Sequence, residues 1–175
     1  GNSLLNEVVL DRGIIQPNTI FDEVRSGLIK VLKQTGEDVS QKDGMDGVLC
    51  TWNQNGKLEY ATAYNSLYLI RQGELIETKG DHQPVGFHIG EVSPFKNHNI
   101  DLQKDDVIYL LSDGFQDQFG GNRGKKFKSS KLKNILLEIH LLPMNEQKTM
   151  LEKEFDAWKG DLDQVDDVCI MGIRF

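Results

Sequence analysis

The 175 residues carry 20 basic and 27 acidic side chains, a formal charge of −7, and 38% of positions are apolar. A chain of this size is long enough to bury roughly 70% of its unfolded surface in one domain, and a composition of 38% apolar with 27% charged residues excludes a disordered tail. The acidic balance also argues against a general nucleic-acid or anionic-membrane binder, since either needs a basic surface.

The chain does not begin with Met, and Leu4, Leu5, Val8 and Val9 share one helical face. Residues 3–10 are therefore expected as the tail of a helix ending near Gly13, in a piece of something longer. A second helix is expected after Pro17, capped by Asn18 or Thr19, with the stripe Ile20, Val24, Leu28, Val31 and Leu32 and with Gly36 as terminator. Residues 37–46 read as a polar loop. Strands follow at Val48–Trp52 and Leu58–Thr62 around Asn53-Gln54-Asn55-Gly56, and at Leu67–Arg71 and Leu75–Thr78 around Gln72-Gly73. A third hairpin is predicted for Ile100–Leu102 and Val107–Leu111 around Lys104-Asp105. The wholly apolar Val107–Leu111 points to a strand covered on both faces. Helices are expected near 129–141 and 144–159, the second ending at Gly160, and a last strand at Val168–Phe175. Hairpins in blocks with segregated helices indicate an α+β domain without repeats or linkers.

No apolar run reaches the ~20 residues that cross a bilayer, and no secretory leader is evident. Cys50 and Cys169 each lie in an apolar run, where cysteines are usually buried and inert, so a reducing, cytoplasmic setting is the expectation. His82, His88, His98 and His140 show no zinc spacing, and no Gly-x-Ser-x-Gly or Cys/His pair singles out a nucleophile.

Two acidic constellations stand out. Ser112-Asp113-Gly114 follows the apolar strand, where a rigid element holds the carboxylate and glycine permits a sharp turn or close approach. Asp166-Asp167 precedes the final strand and offers oxygen donors for Mg²⁺ or Mn²⁺. Read singly, one is a common turn dipeptide and the other a polar lead-in; turn chemistry does not require acids at two strand ends. Gly120-Gly121-Asn122-Arg123-Gly124-Lys125-Lys126 lacks the spacing and the Ser/Thr of a phosphate loop, so residues 116–128 read as a mobile basic loop.

These residues resemble the PPM protein phosphatases, specifically the bacterial sporulation-stage-two-E (SpoIIE) type. The resemblance rests on Val107–Phe115, Gln164-Val165-Asp166-Asp167-Val168 and Leu58–Asn65, with Asp43-Gly44-Met45-Asp46 and Gln83-Pro84-Val85-Gly86 as further landmarks in the same order. It implies a PP2C-like α-β-β-α sandwich of two mostly antiparallel sheets with helices outside. It also implies a metal-dependent phosphoserine/phosphothreonine phosphatase with Asp113 and Asp166 catalytic as metal ligands, Gly114 part of the metal site, Asp167 supporting it, and two Mn²⁺ or Mg²⁺ ions in the complete domain. The implied substrate is a phosphorylated protein, such as an anti-sigma-factor antagonist, with a sensor domain or membrane region upstream in the parent; the basic loop itself is read as a docking element through Arg123, Lys125 and Lys126. The family's remaining acids come from earlier strands and an Asp-x-x-Gly-His-Gly-like motif before the first long helix. This chain reads as starting inside that helix, without those strands. It is therefore expected to be inactive alone, to hold metal weakly or not at all, and to self-associate through unpaired strand edges. The alternative is a non-catalytic protein-binding regulatory module of the same fold. A calcium-binding domain is disfavoured because no twelve-residue acidic loop is present.

Overall fold

The computed structural model describes residues 2–34, 43–53 and 55–175. The chain divides into two compact units, Gly1–Ser66 with Thr78–Leu102 and Leu67–Glu77 with Gln103–Phe175.

The first unit opens with α1 (Asn2–Asn6), a π-helical turn (Glu7–Asp11) and α2 (Pro17–Val31). The expected caps Asn18 and Thr19 lie inside α2. The helix starts one position earlier because Pro17 has no N–H to satisfy and its ring fixes a helical φ, while Gln16 remains extended. Its C-terminal turn closes at Leu32, whose N–H donates to Leu28; the expected terminator Gly36 lies outside the described residues, as do positions 37–42 of the expected loop and Gln54 of the first turn. Ile20, Phe21 and Val24 form the buried stripe and pack with Ala61, Ala63, Val85 and Phe95. Arg25, the buried cation of the same helix, donates to Asp22 at 2.6 Å, Gln83 at 3.2 Å and the Ser93 carbonyl at 3.0 Å. Burial raises the Asp22 pKa, and the Phe95 N–H and the Arg25 charge pull it only partly back.

Three antiparallel strands follow in this unit, β2 (Gly47–Trp52) and β7 (His98–Asp101) flanking β3 (Lys57–Ala63). The Asn53 side chain accepts the amides of Asn55 and Lys57, as the Asn-Gly turn signal predicts. Two of the sequence landmarks meet as a short ladder: β1 (Gly44–Met45) pairs with β6 (Val85–Gly86) in the register Gly44↔Gly86 and Met45↔Val85. A Cβ on Gly86 would come within 2.6 Å of the Gly44 Cα, so this crossing requires glycine. Cys50 is half-buried and burial pushes its thiol up to about 12, which keeps it unreactive. Cys169 departs from expectation and is exposed, because it lies just before the last strand and outside the core.

The second unit is built on a four-stranded sheet ordered β11 (Ile170–Arg174), β8 (Val107–Leu111), β4 (Leu67–Arg71), β5 (Glu74–Thr78). The predicted hairpin at Lys104-Asp105 does not form. The strand before it, β7, pairs with β3, and β8 instead takes β4 and β11 as neighbours. Asp105 and Asp106 are tied to the C-terminus, Asp105 N–H donating to the Phe175 carbonyl at 2.8 Å and Phe175 N–H to the Asp106 carbonyl at 3.0 Å. The central place of β8 explains its unbroken apolar run. Val107, Tyr109 and Leu111 face one core with Tyr68 and Ile70, and Ile108 on the opposite face is buried too.

Helices α4 (Ser129–Ile139) and α5 (Met144–Lys159) close that core with Leu132, Ile135, Leu136, Ile139, Leu151 and Phe155. Gly160 ends α5 at φ 57°, a left-handed terminus that suits glycine. The buried Tyr109 hydroxyl donates to Gln147 at 2.6 Å, and burial raises its pKa to about 12. Residues 116–128, expected as a loop, contain the end of a short helix, α3 (Gly114–Asp117), and a hairpin of β9 (Phe119–Gly120) and β10 (Lys125–Lys126). The cause is Trp158, whose carbonyl accepts the Gly121 amide at 2.8 Å and whose indole donates to the Gln118 carbonyl at 3.1 Å. Phe127 fills the core behind the hairpin.

Candidate functional site

The two acidic constellations meet at one end of the β8–β11 pair. Their ladder begins at Leu111↔Ile170, and Ser112 N–H extends it by donating to the Cys169 carbonyl at 2.9 Å. The chain then leaves the sheet: Asp113 is in the αR region (φ −79°, ψ −15°) and forms the N-cap of α3, without a hydrogen bond from its side chain to the helix. Its carboxylate is thus not used in capping and faces solvent.

Gly114 is buried against the other constellation. A Cβ there would overlap the Asp167 carbonyl oxygen and lie 2.9 Å from the Asp167 carbonyl carbon and 3.2 Å from the Asp166 carbonyl oxygen. The dipeptide Asp-Gly is therefore more than a turn preference: it brings the backbone of Gly114 into contact with Asp166-Asp167. Asp166 and Asp167 are both exposed, and the Asp166 carboxylate accepts the Asp167 amide at 2.7 Å, which orients it.

Two polar residues without a role in the sequence reading hold this mouth together. The Ser112 hydroxyl donates to the Asp167 carbonyl at 2.8 Å and accepts the Cys169 amide at 2.9 Å. Gln118, fully buried, donates to the Asp163 carbonyl at 2.9 Å and accepts the Val165 amide at 3.2 Å, anchoring the segment that leads into Asp166. The Ser-Asp-Gly motif signalled Ser112; a glutamine in a polar stretch carries no local signal.

The donor chemistry at the mouth suits a hard dication: carboxylate and carbonyl oxygens, with neither imidazole nor thiolate among the donors that the sequence reading assigns. The donor count is low. Among the described residues no three His, Cys, Asp or Glu side chains are grouped to hold a metal. The three proposed docking cations lie on the β9–β10 hairpin, all exposed. Lys126 pairs with Asp117 at 2.8 Å, whereas Arg123 and Lys125 have no ion pair among the described residues.

The family model for stage II sporulation protein E (SpoIIE) matches residues 12–175. No curated protein matches the sequence. Among solved structures, the SiaA-PP2C domain of Pseudomonas aeruginosa has a TM-score of 0.86 at 26% identity, over 99% of this chain and 66% of that one. The phosphatase domain of the cell fate determinant SpoIIE from Bacillus subtilis has a TM-score of 0.59 at 16% identity, over 98% and 71%. The Mycobacterium tuberculosis serine/threonine phosphatase PstP/Ppp has a TM-score of 0.57 at 17% identity, over 96% and 78%. The chain thus spans about two thirds of the SiaA-PP2C chain, and its fold is α+β of the PP2C type.

Proposed function

The chain belongs to the stage II sporulation protein E (SpoIIE) family, and from that membership we propose that it is a metal-dependent phosphoserine/phosphothreonine phosphatase domain of a bacterial signalling protein. One observation carries the reading beyond family: the Gly114 backbone lies against Asp166-Asp167, so the acids at the ends of β8 and before β11 come to a common mouth.

Asp113 and Asp166 would hold Mg²⁺ or Mn²⁺ through carboxylate oxygens, with Gly114 beside them and Asp167 orienting Asp166 through its amide. An ion held there would supply Lewis-acid activation of water near neutral pH, and no protein nucleophile would then be needed. The chain's own part is to keep the Asp113 carboxylate out of the cap of α3, to orient the Asp166 carboxylate through the Asp167 amide, and to leave both open to solvent. Arg123 and Lys125 offer positive charge to an incoming phosphoprotein, and a phosphorylated anti-sigma-factor antagonist fits that chemistry. The proposed setting is cytoplasmic, with an input domain elsewhere in the parent; among the described residues no helix is long and apolar enough to cross a membrane.

With two carboxylates assigned, we propose that these 175 residues alone bind the ion weakly, turn over little, and self-associate through exposed strand edges. The competing reading, a protein-binding module without catalysis, draws on the same low donor count. The two part in an assay of the parent polypeptide with Mn²⁺ and a phosphopeptide. Phosphate release that is lost in both Asp113→Asn and Asp166→Asn supports the enzyme. A folded parent without turnover, or with turnover unchanged in both variants, supports the binding module or removes the site assignment.

A further inference from the structure

We propose that Ser112 is a positioning residue whose hydroxyl clasps the Asp166–Asp167 segment to the Asp113 turn and thereby sets how well the two carboxylates take a divalent cation. This rests on the reading of Asp113 and Asp166 as metal ligands.

Along β8 and β11 each residue has a partner as far as Leu111↔Ile170, and Ser112 N–H adds one more bond to the Cys169 carbonyl. At Asp113 the β8 chain bends into α3, and its carbonyl accepts the Asp117 amide instead of facing the neighbouring strand. The Cys169 N–H and the Asp167 carbonyl would then lose their main-chain partners at the point where the acids must be held. The Ser112 hydroxyl replaces both. It has one proton, given to the Asp167 carbonyl at 2.8 Å, and its lone pairs accept the Cys169 N–H at 2.9 Å. Serine at a turn more often bonds to its own neighbours. Here both bonds run to residues 55 and 57 positions away. The hydroxyl therefore lets β8 release Asp113 from the sheet without releasing the strand that carries Asp166.

A structural hydroxyl and a positioning one predict different results. ¹⁵N-labelled chain, as wild type, Ser112→Ala and Ser112→Thr, is titrated with Mn²⁺, whose paramagnetism broadens nearby amide signals even when binding is weak. Amide exchange at Cys169 and the urea midpoint are measured on the same samples. In Ser112→Ala the Cys169 amide should exchange roughly fivefold faster, and the Mn²⁺ concentration that broadens the Asp113 and Asp166 amides should rise by a similar factor. Ser112→Thr, which keeps the hydroxyl, should restore both. Broadening at an unchanged Mn²⁺ concentration in Ser112→Ala overturns the inference, and so does a folded threonine variant that fails to restore it. A loss in Ser112→Ala that merely tracks a lowered urea midpoint, with all amides affected alike, reduces the residue to structure and overturns it too. Absence of local broadening in the wild type has a different meaning: it overturns the metal-site reading itself, and the role of Ser112 with it.

Discussion

Replacing Gly114 with alanine tests the contact on which the site depends. Gly114 is the first residue of α3, where alanine alone would gain at most the ~0.5–1 kcal/mol it gains in a helix interior. Against this, the new Cβ would overlap the Asp167 carbonyl oxygen and press its carbon at 2.9 Å and the Asp166 oxygen at 3.2 Å. These are backbone atoms, and no rotamer change relieves them. The Asp166–Asp167 segment must retreat by roughly half an ångström, at the ~1–3 kcal/mol typical of overpacking. The atom displaced most is the acceptor of the Ser112 hydroxyl, now 2.8 Å away, so that bond of about 1 kcal/mol weakens as well. The net expectation is a loss of about 2 kcal/mol, which at a urea slope of ~2 kcal/mol/M lowers the midpoint by about 1 M. Gly47→Ala serves as the control, since a Cβ there meets no atom of the described residues within 4 Å. Amide signals of residues 166–169 should shift in Gly114→Ala and stay in place in the control. A Gly114→Ala chain as stable as wild type, with those signals unmoved, would refute the packing argument.

Two further outcomes are expected. Asp106 has a 1% exposed side chain; burial works against its charge, but the Arg71 hydrogen bonds at 2.9 and 2.6 Å, the Gln103 amide and the Arg71 charge outweigh it and hold its pKa below the ordinary value. Its contribution is therefore complete above the unfolded pKa of ~3.9 and is lost as pH falls through the lower folded value. Asp106→Asn should cost roughly 2–4 kcal/mol at pH 7, and the gap in urea midpoint to wild type should begin to close below about pH 4; an equal gap at pH 7 and pH 3 contradicts this. Reversing the charges of Arg123, Lys125 and Lys126 should weaken binding of a phosphoprotein more than turnover of a small aryl phosphate by the parent polypeptide, and equal effects on both would return the hairpin to a structural role.

What the sequence made legible follows from how local each signal is. The α5 span from Met144 to Lys159 and the apolar strand Val107–Leu111 are found where periodicity and composition put them, because amphipathic spacing and β-branched runs act over neighbouring residues. The hairpin predicted at Lys104-Asp105 fails because the choice of strand partner is set by distant chain: β8 pairs with β4 and β11, and the local sequence holds no record of either. Residues 116–128 fold into a hairpin for a similar reason, since their organiser is the Trp158 carbonyl on α5. At the candidate site, Asp113 and Asp166 were legible as acids at strand ends. Ser112 was marked by the Ser-Asp-Gly motif but its partners were not, and Gln118 carried no local signal, because both act on main-chain groups 45 to 57 positions away. Exposure of Cys169 was missed because an apolar neighbourhood in sequence says nothing of which side of a strand end faces solvent.

The most direct test of a divalent-cation site at Asp113 and Asp166 is the map of Mn²⁺ broadening over the amide spectrum of the chain and of its Asp113→Asn and Asp166→Asn variants. Signals from residues 112–115 and 165–169 should fade first in the wild type and persist in both variants, whose remaining spectra and urea midpoints should stay close to wild type. Broadening centred on other acidic residues, or fading at 112–115 and 165–169 that is the same in all three proteins, would contradict such a site.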